Sequence, residues 1–502
     1  MLEEERKYDV GPLFALPDLR GAVPRGGGMA EQPAVTLRTT YHDTADLRLA
    51  RNGASLRYRR GDTGPPWTVK LPYGTPGIRR EISARGLASR PPDELTRLVV
   101  AYTRGAALSP VAALSTVRRA YHVLGPTGTL LAELVDDSVS VLDGRRVVSR
   151  FREIEVERRQ GDRDLLDRLG DALVAAGATA GFTPKNVRAL GPLATEPPDL
   201  PTAQRLGTDP SAAGVLIEEL RRETGRLLEY DPVVRLAPDD PDGLDQLRMA
   251  CRRLRTDLRV FGPLLATPSA GGTGSGGELL EPLRALAGAI RGVVTARDLR
   301  ARLAQSNDPT LDPEAVARLD ATLHERAARS AAELATLMAG AGYPRMLNGL
   351  VSTARAPRLR EPAHAGATEI FPALAATFWE RLAHAAEKLV LDSTTAEWST
   401  ARRAARRLRR LTRLATPVVG EPARRLVEAL EPVVAMLDVE HEADRASRTW
   451  LATSEAHPGD RTLAILVGRL IEREHVLATS ARESFLDAWQ EQKWHTATEW
   501  LV

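Results

Sequence analysis

The periodicity of the sequence changes once, near residue 200, and this change constrains the fold most strongly. Before it, short segments of alternating apolar and polar residues recur, separated by turn residues such as Asn52-Gly53. Because side chains two apart on a strand face the same way, this pattern predicts many short antiparallel strands, in a barrel or a sandwich. After a segment with several prolines and glycines at 191–212, apolar residues recur with a helical period. The pattern therefore predicts an α+β chain whose second half is all-α.

The size of the chain and its cysteine content narrow the class further. With 502 residues, two or three domains are expected. The single cysteine, Cys251, excludes an intramolecular disulfide and a cysteine-based metal site, which fits a reducing compartment. The first residues form no apolar signal region, and no apolar run approaches the ~20 residues that span a bilayer. We therefore expect a cytoplasmic protein without a membrane partner.

Charged residues occupy alternate positions on several of the predicted strands. On a strand that faces water, such a row is an ordinary solvated surface. In a closed sheet the row would line the interior, where charges are costly unless they bind charged ligands. Carboxylates would then hold a divalent metal ion and cations would hold a polyanion. The rows are Glu3, Glu5 and Lys7; Arg57 and Arg59; Glu133 and Asp137; and Glu153, Glu155 and Glu157.

Several ordered blocks of residues stand out within residues 1–195. The blocks are Glu3-x-Glu5-x-Lys7, Tyr41-His42-Asp43-Thr44, Ala54-Ser55-Leu56-Arg57-Tyr58-Arg59, Trp67-Thr68-Val69-Lys70-Leu71-Pro72, Glu153-Ile154-Glu155-Val156-Glu157 and the single Lys185. Three of the five lysines in the chain lie in these blocks, although the chain otherwise uses arginine. Together the blocks resemble the CYTH domains, the triphosphate tunnel metalloenzymes. Two positions depart from the family pattern, since His42 replaces a common Phe and Pro184 replaces a common Ser.

The resemblance implies an eight-stranded antiparallel tunnel that hydrolyses or rearranges triphosphates. It implies Mg²⁺ or Mn²⁺ as cofactor, with one ion bridging phosphate oxygens and another activating water for in-line attack. The implied catalytic residues are Glu3, Glu5, Lys7 and Glu155. The implied metal ligands are Glu3, Glu5, Glu153, Glu155, Glu157 and Asp137. The implied substrate-binding residues are Lys7, Arg57, Arg59, Lys70, Arg118 and Lys185.

Two predicted helices in the second half carry arginines at the same spacing, 154 residues apart. One alternative is that these arginines lie on solvated helix faces and form salt bridges. However, acidic residues are nearly absent from both strips of arginines, and like charges at this spacing destabilise a helix. The strips are therefore predicted to bind a polyanion, because guanidinium groups bind phosphate bidentately. The first strip is Arg248, Arg252, Arg255 and Arg259, and the second is Arg402, Arg406, Arg409 and Arg413.

The second half resembles the CHAD domain, a duplicated helical domain that often follows a CYTH domain. Each arginine strip contains the Arg-Arg-Leu-Arg core of the family motif, at 252–255 and 406–409. The motif histidine is Asp245 in the first copy and Ser399 in the second. The resemblance implies a duplicated helical bundle that binds inorganic polyphosphate through the eight arginines. The expected organisation is a CYTH tunnel domain at 1–195, a linker at 196–210 and a CHAD domain at 211–502.

Together the two resemblances predict a metal-dependent inorganic triphosphatase. It would cleave tripolyphosphate, while the helical half would bind long-chain polyphosphate or tether the enzyme to polyphosphate granules. The alternatives are a non-catalytic polyphosphate-binding protein, and another triphosphate enzyme such as a thiamine triphosphatase or a CYTH-type adenylate cyclase. The sequence argues against nucleic acid as a partner, because it shows no aromatic stacking set and no groove-reading motif.

Overall fold

The structure is a computed structural model that describes residues 2–74, 78–266, 276–305, 311–492 and 494–501, with the side chains of residues 2, 3 and 276 left out. It divides into two compact units, Met1–Asp199 and Leu200–Val502. The predicted domain boundaries at 195 and 211 stay predictions.

The first unit is a closed antiparallel barrel. Around the barrel the strand order is β1, β6, β5, β4, β3, β7, β8 and β9, and β9 pairs back with β1. Strand β2 is added to β7 and strand β10 to β1. The predicted eight-stranded tunnel is therefore confirmed. The strands are β1 (Leu2–Val10), β2 (Gly28–Glu31), β3 (Val35–Asp43), β4 (Ser55–Arg60), β5 (Trp67–Pro72), β6 (Ile78–Ala84), β7 (Ser109–Leu124), β8 (Leu130–Asp143), β9 (Arg146–Arg158) and β10 (Thr179–Gly181).

On the barrel strands, apolar side chains face outward and charged side chains face the interior. On β9 the apolar residues Ile154 and Val156 are fully buried outside the barrel, where they pack with Leu165 and Leu169 of a covering helix. The charged residues between them therefore face the interior, because successive side chains point to opposite sides of a strand. The helices of this unit are α1 (Arg48–Arg51), α2 (Asp93–Thr96), α3 (Val100–Thr103), α4 (Arg163–Ala175) and α5 (Lys185–Leu190).

Two carboxylates of this unit have structural roles. Asp162 begins α4, because its side chain accepts a hydrogen bond from the Leu165 N–H at 2.8 Å. Asp43 accepts hydrogen bonds from the backbone N–H groups of Thr44, Leu49 and Ala50, at 2.7, 2.9 and 2.9 Å. The aspartate of the Tyr41-His42-Asp43-Thr44 block therefore holds the turn into α1 and does not line the tunnel.

The second unit is helical and internally duplicated. On the helix that carries the first arginine strip, an apolar strip of Leu247, Cys251, Leu254 and Leu258 is buried. No helix in the described ranges is both long and apolar enough to cross a membrane. The first copy comprises α6 (Ala212–Leu236), α7 (Pro241–Val260), α8 (Gly276–Ala304), α9 (Pro313–Ala339) and α10 (Gly342–Arg355). The second comprises α11 (Ala367–Ala386), α12 (Thr395–Val419), α13 (Glu421–Glu455), α14 (Arg461–Glu491) and α15 (Trp494–Thr498).

Candidate functional site

The barrel encloses a cavity of about 830 Å³, and all eight of its strands contribute to the lining. Most of the site residues predicted for the tunnel line this cavity. Glu3 lies on β1 opposite Arg79, and its side chain is outside the described residues. Asp137 and Glu153 are buried beside the cavity without lining it. The predicted residues that line it are Glu5, Lys7, Arg57, Arg59, Lys70, Arg118, Glu155, Glu157 and Lys185.

One side of the cavity is organised around Lys185, the first residue of α5. Its ammonium lies 2.9 Å from Asp137, 2.7 Å from Glu153 and 2.8 Å from Glu155, on strands β8 and β9. Burial alone would lower the pKa of Lys185, but the three carboxylate charges outweigh burial and raise that pKa. Lys185 therefore stays charged. It neutralises the carboxylates that alternation along β8 and β9 places on one side of the sheet.

Glu155 is the most heavily paired carboxylate of the site. It contacts the ammonium of Lys7, and Arg118 lies 3.6 Å from it. Burial would raise the pKa of Glu155, yet the charges of Lys185, Lys7 and Arg118 lower it well below its ordinary value. Lys7 also lies 3.2 Å from Glu5. The predicted catalytic residues Lys7, Glu5 and Glu155 are therefore brought together in one ion cluster.

The opposite side of the cavity is mainly cationic. Arg57 and Arg59 of β4 face β9, since four strand-to-strand steps separate β4 from β9 in either direction. Lys70 lies 3.2 Å from Glu81, and Arg57 lies 3.8 Å from the same carboxylate. Burial lowers the pKa of Arg59 to about 10, helped by the charges of Arg57 and Arg118. An anion placed between these cations would relieve their repulsion.

The carboxylates suited to a divalent metal ion form a row across three strands. Glu5 on β1 is opposite Glu157 on β9, and Glu157 is opposite Glu133 on β8. Their oxygens are the hard ligands that Mg²⁺ and Mn²⁺ prefer, so the donor set fits such an ion. As the side chains stand, no three His, Cys, Asp or Glu residues in the described part of the chain form a group that could hold a metal ion.

Several lining residues were absent from the site predicted from sequence. Arg159 bonds Glu157 at 2.6 Å and Glu133 at 2.5 Å, so it neutralises two members of the carboxylate row. Arg79 and Glu81 belong to the cationic side. Arg159 follows Glu157 by two positions, so carrying the alternation of β9 one step further would have identified it.

The two arginine strips of the helical unit have different partners. Asp438 of α13 pairs with Arg402 and Arg406, both at 2.6 Å. Glu431 of the same helix pairs with Arg409 at 2.7 Å and also contacts Arg413. The second strip therefore has acidic partners on another helix, which the residues of its own helix did not indicate.

The first strip, on α7, is largely without such partners. Arg248 lies 3.2 Å from Asp245, whereas no ion pair joins Arg252, Arg255 or Arg259 to a carboxylate within the ranges that the structure describes. Burial lowers the pKa of Arg252 to about 9, and the charge of Arg406 adds to the effect. A small cleft is lined by arginines of both strips: Arg252, Arg406, Arg409 and Arg413, with Arg253, Thr256 and Arg410.

Between about pH 6.5 and pH 4 we expect the helical unit to lose stability in part through His441. Burial, with the charges of Arg402 and Arg445, lowers the pKa of His441 to about 4, from about 6.5 in an unfolded chain. In that window the unfolded state binds a proton that the folded state does not, so stability falls as pH falls.

The measurement is the denaturant midpoint at several pH values, followed by tryptophan fluorescence, because every tryptophan except Trp67 lies in the helical unit. His441→Asn should lose less stability across the window than the wild-type chain. His364→Asn, the same change at an exposed histidine, should match the wild-type dependence. An unchanged pH dependence in His441→Asn would contradict the assignment.

Comparison with known proteins relates each half of the chain to a domain family. The CYTH domain family model matches residues 1–187, and the CHAD domain family model matches residues 218–452. A Mycobacterium tuberculosis protein, Rv2226, described as uncharacterised, is 35% identical over 277 residues. That match covers 51% of this chain and 52% of the relative, so the chain spans about half the length of the curated relatives it matches.

Comparison with solved structures gives partial matches at low identity. The CHAD domain from the plant Ricinus communis is 18% identical with a TM-score of 0.48, covering 58% of this chain and 96% of that one. A Hippeastrum protein, described as a putative adenylyl cyclase with a dominant triphosphatase activity, is 18% identical with a TM-score of 0.27. It covers 38% of this chain and 98% of its own.

Proposed function

The chain is a CYTH domain joined to a CHAD domain, and from this premise we propose that it is a metal-dependent inorganic triphosphatase with a polyphosphate-binding helical half. Members of the CYTH family are triphosphatases or cyclases, and the family depends on metal ions. The proposed reaction is the cleavage of tripolyphosphate to pyrophosphate and phosphate.

The observation that carries this proposal is the opposition of charge across the cavity. The cations of β4 and β5 lie on one side, and the carboxylate row of β1, β9 and β8 lies on the other. A linear triphosphate combined with a divalent ion matches such a pair of walls, because the phosphate oxygens meet cations on one side and the metal meets carboxylates on the other. A cavity that binds a neutral ligand would not be expected to carry these charges, because burying charges without partners costs free energy.

The proposed roles of the protein residues follow from their positions. Arg57, Arg59 and Lys70 would bind and orient the phosphate oxygens, and their charge would stabilise the charge that develops in the transition state. Lys7 and Arg118, which lie beside Glu155, would also bind a terminal phosphate. The predicted contact of Lys185 with substrate stays a proposal, since three carboxylates surround its ammonium.

The metal ion would be held by the carboxylate row of Glu5, Glu157 and Glu133. When bound, Mg²⁺ or Mn²⁺ supplies Lewis-acid polarisation of a phosphate oxygen and lowers the pKa of a bound water. Arg159 fixes the orientation of two of these carboxylates through its hydrogen bonds. Four further residues stay predicted ligands, namely Glu3, Glu153, Glu155 and Asp137. The carboxylates of the last three are paired with Lys185.

The pairing of these carboxylates also favours a second candidate, a barrel that holds polyphosphate ends without turnover. Lys7 and Lys185 already occupy oxygens of Glu5, Glu155 and Glu153. If these contacts persist with substrate present, fewer oxygens remain for a metal ion, and the barrel would bind phosphate chains only.

A hydrolysis panel tests the two candidates. Phosphate release from tripolyphosphate, ATP and thiamine triphosphate would be measured with Mg²⁺, with Mn²⁺ and with EDTA. We expect turnover of tripolyphosphate that is fastest among the three substrates and is abolished by EDTA. Faster turnover of another triphosphate would change the proposed substrate, whereas binding without any turnover would support the non-catalytic candidate.

A further inference from the structure

The two copies of the helical unit differ at the positions that neutralise their arginines. The strips are 154 residues apart, and each is followed by a further long helix of its own copy, α8 in the first and α13 in the second.

The second strip has acidic partners on α13. Asp438 pairs with two arginines of α12, and Glu431 pairs with the other two. In the first copy, the residues of α8 whose charges act on Arg255 are the cations Arg284 and Arg291. The second copy therefore carries its own counter-charges, while the first copy adds cations beside its strip.

The neighbours of Arg255 add positive charge to the first copy. Burial lowers the pKa of Arg255, and the charges of Arg259, Arg291 and Arg284 contribute to the same shift. The Nε atom of Arg255 is buried and has no hydrogen-bond partner among the described residues. Arg284 pairs with Glu281 at 2.7 Å, but both side chains are largely exposed, so water and salt screen that pair. The surface is thus a set of cations whose charge is not balanced locally.

We propose that the first copy is the principal polyphosphate-binding surface, formed by Arg252, Arg255, Arg259, Arg284 and Arg291, and that Asp438 and Glu431 hold the second strip in a self-neutralised state. This inference rests on the proposed polyphosphate-binding function. A phosphate chain reaches Arg252, Arg255 and Arg259 without displacing a carboxylate from an ion pair among the described residues. At the second strip it competes with ion pairs already formed, and each phosphate contact there gains less free energy.

The duplication supplies matched variants for the test. Arg255→Gln and Arg409→Gln make the same change at equivalent positions of the two copies, and glutamine has nearly the helix propensity of arginine. Long-chain inorganic polyphosphate would be titrated into the full chain by calorimetry at several salt concentrations. Arg255→Gln should weaken binding about tenfold and lower the salt slope by about one, whereas Arg409→Gln should change affinity less than about twofold.

A gain of affinity provides the complementary measurement. Asp438→Asn keeps the shape of the side chain and releases Arg402 and Arg406 from their carboxylate, so binding of the same polyphosphate should strengthen about threefold or more. If the wild-type chain binds polyphosphate but the two arginine variants lose affinity equally, the proposed asymmetry between the copies is overturned. The same holds if Asp438→Asn gains no affinity. Either result leaves the polyphosphate-binding function in place. No binding by the wild-type chain would overturn the polyphosphate function and this inference with it.

Discussion

Replacing Arg57 with glutamine is expected to lower kcat/KM for tripolyphosphate about a thousandfold, because a positioned guanidinium that meets the transferring phosphate is worth this much in phosphoryl transfer. Arg57 lies on the cationic wall of the cavity, opposite the carboxylates of β9. Its loss leaves Glu81 with Lys70 at 3.2 Å, so the barrel should remain folded. The measurement is steady-state phosphate release with Mg²⁺ or Mn²⁺.

The control lies three residues further along the same strand. Arg60 is exposed and stacks over the ring of Tyr58 outside the tunnel, at 5.6 Å from its centroid. Arg60→Gln makes the same chemical change and should leave kcat/KM within about threefold. Arg57→Lys keeps the charge without the planar fork and should recover only part of the loss. Equal activity in Arg57→Gln and Arg60→Gln would contradict the proposed substrate wall.

Replacing Glu155 with glutamine is expected to destabilise the barrel unit by about 3–5 kcal/mol, the usual cost of leaving buried charges without their partner. Lys7, Lys185 and Arg118 all lie near this carboxylate. Hydrogen exchange of the full chain, followed on peptides from the barrel strands, would measure the change without interference from the helical unit. Asp167→Asn removes an exposed partner of Arg6 in the same unit, and should cost less than about 1 kcal/mol.

A second substitution tests whether the loss comes from charge balance. Glu155→Gln combined with Lys185→Met removes one charge of each sign from the cluster, so the double variant should be more stable than the sum of the single losses predicts. Strict additivity of the two single effects would show that Glu155 and Lys185 do not interact, against the 2.8 Å contact between them.

The sequence predicted the type of each element well because periodicity is a local property. Alternation placed Glu155 and Glu157 on one face of β9, and the helical period placed Arg252 and Arg255 beside a buried apolar strip. The alternation also predicts that Asp137 and Glu153 face the tunnel. Their depth beside Lys185 depends on where α5 packs, and no local pattern within β8 or β9 encodes that position.

The amino-acid sequence by itself determined the two fold types, their order and the residue types that face the tunnel and the arginine surface. Only the tertiary structure decided which of these charges neutralise one another. Lys185 meets carboxylates of two strands that precede it by more than 25 residues, and Asp438 meets Arg402 and Arg406 across two helices. The physical reason is that Coulomb energy depends on distance in space and on burial, whereas sequence periodicity reports only which side of its own element a residue occupies.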